Sequence, residues 1–278
     1  MRTITAYLVI SDLDDTILGD DDALDRFAAF CAEDASRLQL VYASGRLLDS
    51  VRREVEDTAL PAPVLVIGGV GSEIRHFVGG EPLRGWRERI ERDWCVETAR
   101  AILTEEPDLT LQPEEVQNEF KLSYFLPDAS NERLDELIAT LERGGVPADR
   151  IYSSRKDLDF VPRGVNKGTA AAFVAQTLGY ASDRVIVAGN SGNDIALFQH
   201  GFSGIVVANA HEELKAIAKT PRIYLAKASY ADGVREGIVH WLTERSDVRP
   251  GTSFQKESHD RDQASLLAEG YRRSVDSP

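Results

Sequence analysis

Two aspartates near the start of the chain have the spacing of a catalytic carboxylate pair. Asp12 and Asp14 stand in the segment 11–16 (SDLDDT), directly after the apolar run 6–10. Polar groups that follow a buried strand lie where open α/β sheets bind ligands, so one carboxylate can act as a nucleophile and the other as acid or base. The same residue types also suit a helix N-cap or a turn, and this motif alone leaves that alternative open.

Other polar groups stand at the ends of predicted elements. The apolar run 38–43 leads into Ser44, the run 185–188 leads into segment 189–194 (GNSGND), and Lys167 opens the predicted helix 169–178. Singly, Ser44 could be a cap, Lys167 a solvated helix residue and segment 189–194 a glycine turn. Together they predict phosphoryl transfer at one sheet edge, because an anionic nucleophile approaches a phosphate only where cationic groups, hydroxyls and N–H groups offset the charge.

Composition excludes several classes of protein. The formal charge of −14 is spread along 278 residues, so the overall field would repel nucleic acid and anionic membranes. No apolar stretch is long enough to span a membrane, and no signal-peptide pattern precedes the first strand, which predicts a soluble, cytoplasmic protein. Cys31 and Cys95 share no metal-ligand spacing and are expected to fill apolar space. We expect any metal to be held by oxygen, which favours magnesium.

The order of elements predicts an α/β fold. Short β-branched runs alternate with helical patterns, and the predicted strands are 6–11, 38–44, 64–68, 184–189, 204–208 and 223–226. That alternation is typical of βαβ units and a parallel sheet. The acidic triplet Asp20–Asp22 precedes a run of helical spacing and is interpreted as a helix start rather than a ligand set.

The pattern changes between residues 81 and 160. A helical stretch rich in Trp and Arg is followed by predicted strands at 110–111, 120–126, 150–153 and 157–161, with a helix around 132–143 and a hairpin turn at 153–157. We therefore predict a core domain of residues 1–80 and 161–245, and an inserted α+β cap domain, 81–160, with its own sheet. Residues 246–278 are polar and are predicted to form a flexible tail.

The order of these motifs resembles the haloacid dehalogenase superfamily of phosphatases. D-x-D-x-T, S-G-R, N-K-G and G-N-S-G-N-D occur in the order of that superfamily. More closely, SDLDDT, GVGSEI, KLSY, SSRKDLD and NKG are similar to the sucrose-phosphate phosphatase family, over about residues 6 to 215. The resemblance implies a Rossmann-like core, a cap inserted between the second and third motifs, and Mg²⁺ as cofactor.

The resemblance also implies catalytic roles. Asp12 would be the nucleophile that forms an aspartyl-phosphate, and Asp14 would protonate the leaving sugar oxygen and then activate water. Ser44, together with the Gly45 N–H, would hold the phosphate. Lys167 would offset the negative charge of the transferring group.

By the same resemblance, a magnesium ion would be held by Asp12, Asp14, Asn190 and Asp194. Asn193 would assist Asp194, which would also orient Lys167, and Thr16 would support the nucleophile loop. The family usually has Asp where this chain has Asn190. An amide still offers a carbonyl oxygen but lacks the charge, so we expect weaker magnesium binding or a larger share of the coordination at Asp194.

Further residues are candidates for substrate contact. Lys121 and Ser123 share one face of their predicted strand, and Asp157 and Asp159 fall together on theirs, so a polar sheet face could bind sugar hydroxyls. The alternative is a solvated sheet edge, and Lys156 could be only a turn residue. The other candidates for the substrate side are Thr16, Gly45, Arg46, Gly71, Ser72, Glu73 and Asn193. For Glu73 we favour a substrate-side role over a tight turn before Ile74.

The sequence therefore predicts a magnesium-dependent sugar-phosphate phosphatase that hydrolyses sucrose 6-phosphate through an aspartyl-phosphate. One alternative is a phosphatase of mannosylfructose phosphate or mannosyl-3-phosphoglycerate. Another is a non-catalytic sugar-phosphate-binding subunit of a glycosyltransferase, suggested by Asn190 and the polar tail. The expected partner is a small-molecule sugar phosphate, and association with the upstream glycosyltransferase is a further hypothesis.

Overall fold

The protein was analysed as a computed structural model that describes residues 6–218 and 220–246. Its strands are β1 (Tyr7–Ser11), β2 (Leu38–Ala43), β3 (Leu65–Gly68), β4 (Glu73–His76), β5 (Thr110–Leu111), β6 (Leu122–Phe125), β7 (Ala148–Ser153), β8 (Asp157–Pro162), β9 (Val185–Gly189), β10 (Ser203–Val206) and β11 (Ile223–Leu225). Its α-helices are α1 (Asp21–Glu33), α2 (Leu48–Asp57), α3 (Trp86–Ile90), α4 (Val96–Thr104), α5 (Asn131–Arg143), α6 (Lys167–Leu178), α7 (Glu212–Ile217) and α8 (Tyr230–Ser246). The chain divides into two compact units, residues 1–38 with 180–278, and residues 39–179.

The first unit contains a parallel sheet. Its strands follow the order β11-β10-β9-β1, and every neighbouring pair in that series is parallel. All residues of β1 and β9 are buried, which explains why both read as continuous apolar runs rather than alternating ones. Helix α1 packs against α8.

The start of α1 confirms the interpretation of the acidic triplet. Asp20 is the N-cap, and its side chain accepts a hydrogen bond from the Ala23 N–H at 2.9 Å. Asp21 and Asp22 lie in the first turn, where negative charge is favourable beside the helix N-terminus.

The second unit contains two sheets. Strand β2 pairs in parallel with β3, and β3 pairs antiparallel with β4. The other sheet is antiparallel throughout, in the order β5-β6-β8-β7, and α5 packs on β7. A tight turn with positive φ at Ser154 and Arg155 joins β7 to β8, which confirms the predicted hairpin.

The α/β prediction is confirmed, and each of the six predicted strands of the main pattern is present within two residues of its expected ends. Strand β4 was not predicted. The chain turns back after Gly68, so β4 pairs antiparallel with β3 and the sheet ends in an antiparallel strand. The proposed division into core, cap and tail stays a prediction, and residues 247–278 of the tail lie outside the described residues.

The two cysteines differ in their surroundings. Cys31 is buried on α1, as expected, whereas Cys95 is exposed. The expectation for Cys95 was therefore wrong: it lies at the N-cap of α4, where its Sγ accepts a hydrogen bond from the Thr98 hydroxyl. Within the described part of the chain, none of the helices has the length and apolar character needed to cross a bilayer.

Candidate functional site

The predicted nucleophile lies directly beyond β1 in the first unit. Asp12 is 5% exposed, and its backbone N–H donates to the Ala188 carbonyl of β9 at 3.0 Å. The Thr16 hydroxyl donates to Asp12 Oδ2 at 2.9 Å. Because Asp20 is the N-cap of α1, the alternative role of Asp12 as a helix cap is wrong. Asp14 is exposed, so its carboxylate is accessible to a substrate.

The segment after β9 folds back on its own aspartate. Asp194 is fully buried, and its Oδ2 accepts the N–H groups of Asn190 and Ser191 at 3.0 and 3.1 Å. A Cβ at Gly189 would lie 2.6 Å from the Asp194 Cβ, so only glycine leaves room for this arrangement. The Ser191 hydroxyl donates to Asn193 Oδ1 at 3.1 Å. This segment is a carboxylate-centred loop rather than an ordinary glycine turn.

Asn190 stands directly after β9. It is 4% exposed, and its backbone carbonyl accepts the His211 N–H at 2.7 Å. Among residues 6–218 and 220–246, its side-chain amide makes no hydrogen bond and is not buried without one, so its polar atoms reach solvent. The position is therefore suited to a ligand, an ion or a water molecule.

The donor groups of the first unit fit magnesium. Strand β1 pairs with β9 through Ser11 and Ala188, so Asp12 and Asn190 follow neighbouring parallel strands at the same end. Carboxylate and amide oxygens are the ligand types that Mg²⁺ prefers. In the described ranges, no group of three or more His, Cys, Asp or Glu side chains is arranged to hold a metal, so the ligand set expected from the sequence stays a prediction.

Ser44 anchors a loop of the second unit. It is fully buried, its N–H donates to the Ile67 carbonyl at 2.9 Å, and its Oγ accepts the Arg46 N–H at 3.1 Å. Helix α2 begins at Leu48 with Leu47 in the cap position, so Ser44 is not its cap. Arg46 forms an ion pair with Glu54 at 2.6 Å.

Lys167 begins α6 and is 1% exposed, so it is not a solvated helix residue. Asn166 is the N-cap, and it exchanges hydrogen bonds with Thr169 in a capping box. A Cβ at Gly71 would lie 2.5 Å from the Asn166 carbonyl oxygen. Gly71, with φ of +109°, therefore lets the loop after β3 lie against the start of α6.

The polar residues of the four-stranded sheet bind one another. Lys121 Nζ lies 2.8 Å from Ser123 Oγ and 3.4 Å from Asp159 Oδ1, and the Ser123 hydroxyl donates to the same oxygen at 2.5 Å. Lys121 and Ser123 are buried, so the alternative of a solvated sheet edge is wrong for them. Asp157 accepts from Gln112 at 3.1 Å, and Lys156 is an exposed turn residue.

Two residues that form hydrogen bonds with the candidate motifs could not be identified from the sequence. The Asn118 amide donates to Ser72 Oγ at 2.7 Å, and the Asn209 amide donates to the Asp15 carbonyl at 2.7 Å. Each is a single amide whose partner is distant in sequence, so no local spacing could have identified it.

The comparisons with known proteins agree on one family. The family model for Sucrose-6F-phosphate phosphohydrolase matches residues 5–242. Mannosylfructose-phosphate phosphatase from Agrobacterium fabrum is 35% identical over 238 residues, which cover 84% of this chain and 96% of that protein. Sucrose-phosphatase 1 from Nicotiana tabacum is 33% identical over 272 residues, which cover 91% of this chain but only 62% of that protein.

A solved structure is similar over most of both chains. The X-ray structure of the sucrose-phosphatase from Synechocystis sp. PCC6803, in complex with sucrose and phosphate, has a TM-score of 0.78 and 34% sequence identity. The similarity covers 85% of this chain and 98% of that one. The fold, and about a third of the residues over most of the chain, are therefore shared with proteins that are named for sugar-phosphate phosphatase activity.

Proposed function

Because the chain belongs to the sucrose-6F-phosphate phosphohydrolase family of haloacid dehalogenase phosphatases, we propose that it hydrolyses sucrose 6-phosphate to sucrose and phosphate. The chain is a phosphoric monoester hydrolase of the sugar-phosphate class. The observation that carries the proposal is the buried Asp12 carboxylate, held by Thr16 beside the Asp194 loop. This is an oxygen-rich site at the carboxyl end of two parallel strands.

In the proposed mechanism, Asp12 attacks phosphorus and displaces the sugar oxygen, forming an aspartyl-phosphate. Asp14 donates its proton to that leaving oxygen. Asp14 then takes a proton from water, whose oxygen attacks phosphorus and releases the Asp12 carboxylate and inorganic phosphate. Thr16 supports this assignment, because its hydrogen bond to Oδ2 fixes the carboxylate of the nucleophile.

We assign Ser44, the Gly45 N–H and Lys167 to the phosphate oxygens. The burial of Lys167 supports the assignment, since an ammonium group out of water requires compensating negative charge. Oxygens of Asp12, Asp14, Asn190 and Asp194 would hold Mg²⁺, which when bound offsets the negative charge between nucleophile and phosphate. The solvent-accessible amide of Asn190, directly after β9, supports its place in that set.

The proposed substrate is one of several similar disaccharide phosphates. Mannosylfructose phosphate is the second candidate, because the Agrobacterium phosphatase named for it is 35% identical. Sucrose and mannosylfructose differ in carrying glucose or mannose, which are epimers at C2, so a few hydroxyl contacts decide between them. The network of Lys121, Ser123 and Asp159 offers both donors and an acceptor for such contacts.

A phosphate-release assay tests the proposal. The panel is sucrose 6-phosphate, mannosylfructose phosphate, mannosyl-3-phosphoglycerate and fructose 6-phosphate, each with magnesium. We expect the highest kcat/KM for sucrose 6-phosphate, loss of turnover in Asp12→Asn, and retained turnover in Asp15→Asn, a matched change at the neighbouring exposed carboxylate. Release from none of these esters would favour the non-catalytic subunit, and a preference for another ester would reassign the substrate.

The chemistry of the substrate indicates the reaction that supplies it. A disaccharide phosphate is formed when a glycosyl group is transferred to a sugar phosphate, so a glycosyltransferase must act first. We propose that the two enzymes associate, which would deliver the product of one to the other. Co-sedimentation of the purified pair tests this, and independent sedimentation at micromolar concentrations would contradict it.

A further inference from the structure

Glu73 begins β4, and both of its carboxylate oxygens are bound within the second unit. Oε1 accepts the Leu48 N–H at 3.1 Å, and Oε2 accepts Arg75 Nε at 2.9 Å. The side chain is 17% exposed. Leu48 is the first residue of α2, and the cap position, Leu47, has no side-chain oxygen. Glu73 therefore caps the N-terminus of α2 from a position 25 residues further along the chain.

The helix start that Glu73 caps is also the end of the Ser44 loop. The loop carbonyls are bound at two other points, since Val70 N–H donates to the Ser44 oxygen at 2.9 Å and Gly69 N–H donates to the Arg46 oxygen at 3.0 Å. Segment 69–73 thus binds the loop at Ser44, at Arg46 and at the start of α2, and Glu73 provides the last of these bonds. The shape of the loop, and hence the direction of its N–H groups, depends on this segment.

Gly68 gives an independent sign that the Glu73 carboxylate has a fixed place. Its φ of −97° is available to any residue, so the backbone does not require glycine there. A Cβ at this position would lie 2.7 Å from Glu73 Oε1 and 3.1 Å from the Arg46 carbonyl oxygen. Glycine at 68 is therefore explained by the close approach of Glu73 to the loop.

Backbone strain lies in the same segment. Val70 has φ of +56°, a left-handed conformation that is unfavourable for a β-branched residue, and it is buried. Such strain is unfavourable and persists where the surroundings determine the conformation. Here the strained residue is the one whose N–H binds the Ser44 carbonyl.

We propose that Glu73 is a positioning residue that keeps the Ser44-Gly45-Arg46 loop in the shape that binds phosphate, in place of the substrate-side role expected from the sequence. The inference rests on the proposed function of that loop. Glu73 also lines a cavity of about 180 Å³ beside Trp86 and Asn118, so contact with a ligand there is the alternative to be separated.

The two roles predict different substrate dependence. A sugar contact would matter for sucrose 6-phosphate and not for p-nitrophenyl phosphate, whereas a positioning residue would matter equally for both. We expect Glu73→Ala to lower kcat for both esters by the same factor, roughly tenfold to a hundredfold. The Ki of inorganic phosphate should rise several-fold. Glu73→Gln should restore most of the activity, because its amide oxygen can still accept from Leu48.

Two further variants complete the test. Gly68→Ala should reproduce the kinetic defect, since the new Cβ would displace the Glu73 carboxylate, and the double variant should be no worse than Glu73→Ala alone. Glu81→Gln, at an exposed carboxylate beyond the same strand, should leave both rates unchanged.

Three outcomes would overturn the inference. They are a defect confined to sucrose 6-phosphate, a lowered melting temperature with unchanged kcat and Ki, and a Glu73→Gln variant as impaired as Glu73→Ala. If the unaltered protein hydrolyses no ester, the proposed function fails instead. The inference is then judged by the stabilisation that inorganic phosphate gives each variant in thermal unfolding, which must be smaller for Glu73→Ala than for Glu81→Gln.

Discussion

The side-chain amide of Asn209 donates a hydrogen bond to the Asp15 carbonyl at 2.7 Å, across 194 residues of sequence. Its oxygen accepts the Tyr230 N–H at 3.0 Å, so one amide joins the loop of the proposed catalytic aspartates to the start of α8. Asp15 has φ of +57°, and the Tyr230 ring packs so closely over Gly19 that a Cβ there would lie 2.5 Å from it. Two residues distant in sequence, Asn209 and Tyr230, thus hold the loop that carries Asp14.

Removing the Asn209 amide should lower turnover. Without its bond, Asp15 can relax from the left-handed conformation and move the neighbouring Asp14 carboxylate away from the leaving group. We expect Asn209→Ala to lower kcat roughly tenfold or more with a smaller change in KM, measured by steady-state phosphate release.

Asn209→Asp separates the effects of the two hydrogen bonds that the Asn209 amide makes. A carboxylate can still accept from Tyr230 but cannot donate to the Asp15 carbonyl. We expect nearly the same loss of kcat as in Asn209→Ala, with a melting temperature closer to that of the unaltered protein. Full activity in Asn209→Asp would show that the bond to Asp15 does not position Asp14.

The amide at position 190 should set the strength of magnesium binding. Asn190→Asp adds a negative charge to the segment that contains Asp194, at the same end of the sheet as Asp12, which favours a divalent cation and disfavours the metal-free protein. We therefore expect the apparent Kd for Mg²⁺ to fall about tenfold, measured by titration calorimetry, and the metal-free melting temperature to drop.

Asn190→Ala should change the magnesium affinity in the opposite direction. Loss of the oxygen should weaken magnesium binding, and calorimetry reports this independently of turnover. Unchanged magnesium affinity in both variants would remove Asn190 from the proposed ligand set and leave Asp194 with the larger share.

The strands and helices that were predicted correctly are those with a strong local signal. Strand β9 reads as an apolar run because all of its residues are buried, and Lys167 stands beside a helix start that the sequence marks with Asn166 and Thr169. Strand β4 gave no such signal, since Ile74 is its only buried residue. The role of Glu73 depends on a bond to a residue 25 positions earlier, and the bond of Asn209 spans 194. Spacing in sequence carries no information about contacts of that kind.

The ion pair of Lys121 and Asp159 should be important for the stability of the fold as well as for the proposed sugar binding. Their side chains are 3% and 14% exposed, so removal of one charge leaves the other without its partner away from water. We expect Lys121→Met to lower the free energy of unfolding by about 2–4 kcal/mol in urea titrations. Asp157→Asn is the matched control on the same strand as Asp159. It removes only the charge that faces Gln112 and should cost about 1 kcal/mol or less.

A double-mutant cycle tests whether the pair acts as a unit. If Lys121 and Asp159 stabilise each other, Lys121→Met combined with Asp159→Asn should be less destabilising than the sum of the single changes, by about 1 kcal/mol or more. Strict additivity would mean that Lys121 does not interact with Asp159 in the folded protein. KM for sucrose 6-phosphate, measured on the same variants, reports the proposed sugar contact separately.

The two cysteines should react with thiol reagents at very different rates. Burial on α1 raises the pKa of Cys31 to about 12, so at about pH 8 its thiol stays protonated, and only the thiolate is nucleophilic. Cys95 is exposed at the start of α4. We expect a disulfide reagent to modify one thiol per folded chain rapidly, Cys95→Ser to abolish that phase, and Cys31→Ser to leave it intact.

In denaturant, Cys95→Ser should regain one reactive thiol, because unfolding exposes Cys31 and returns its pKa to the ordinary range. Rapid modification of two thiols in the folded chain would show that α1 does not shield Cys31.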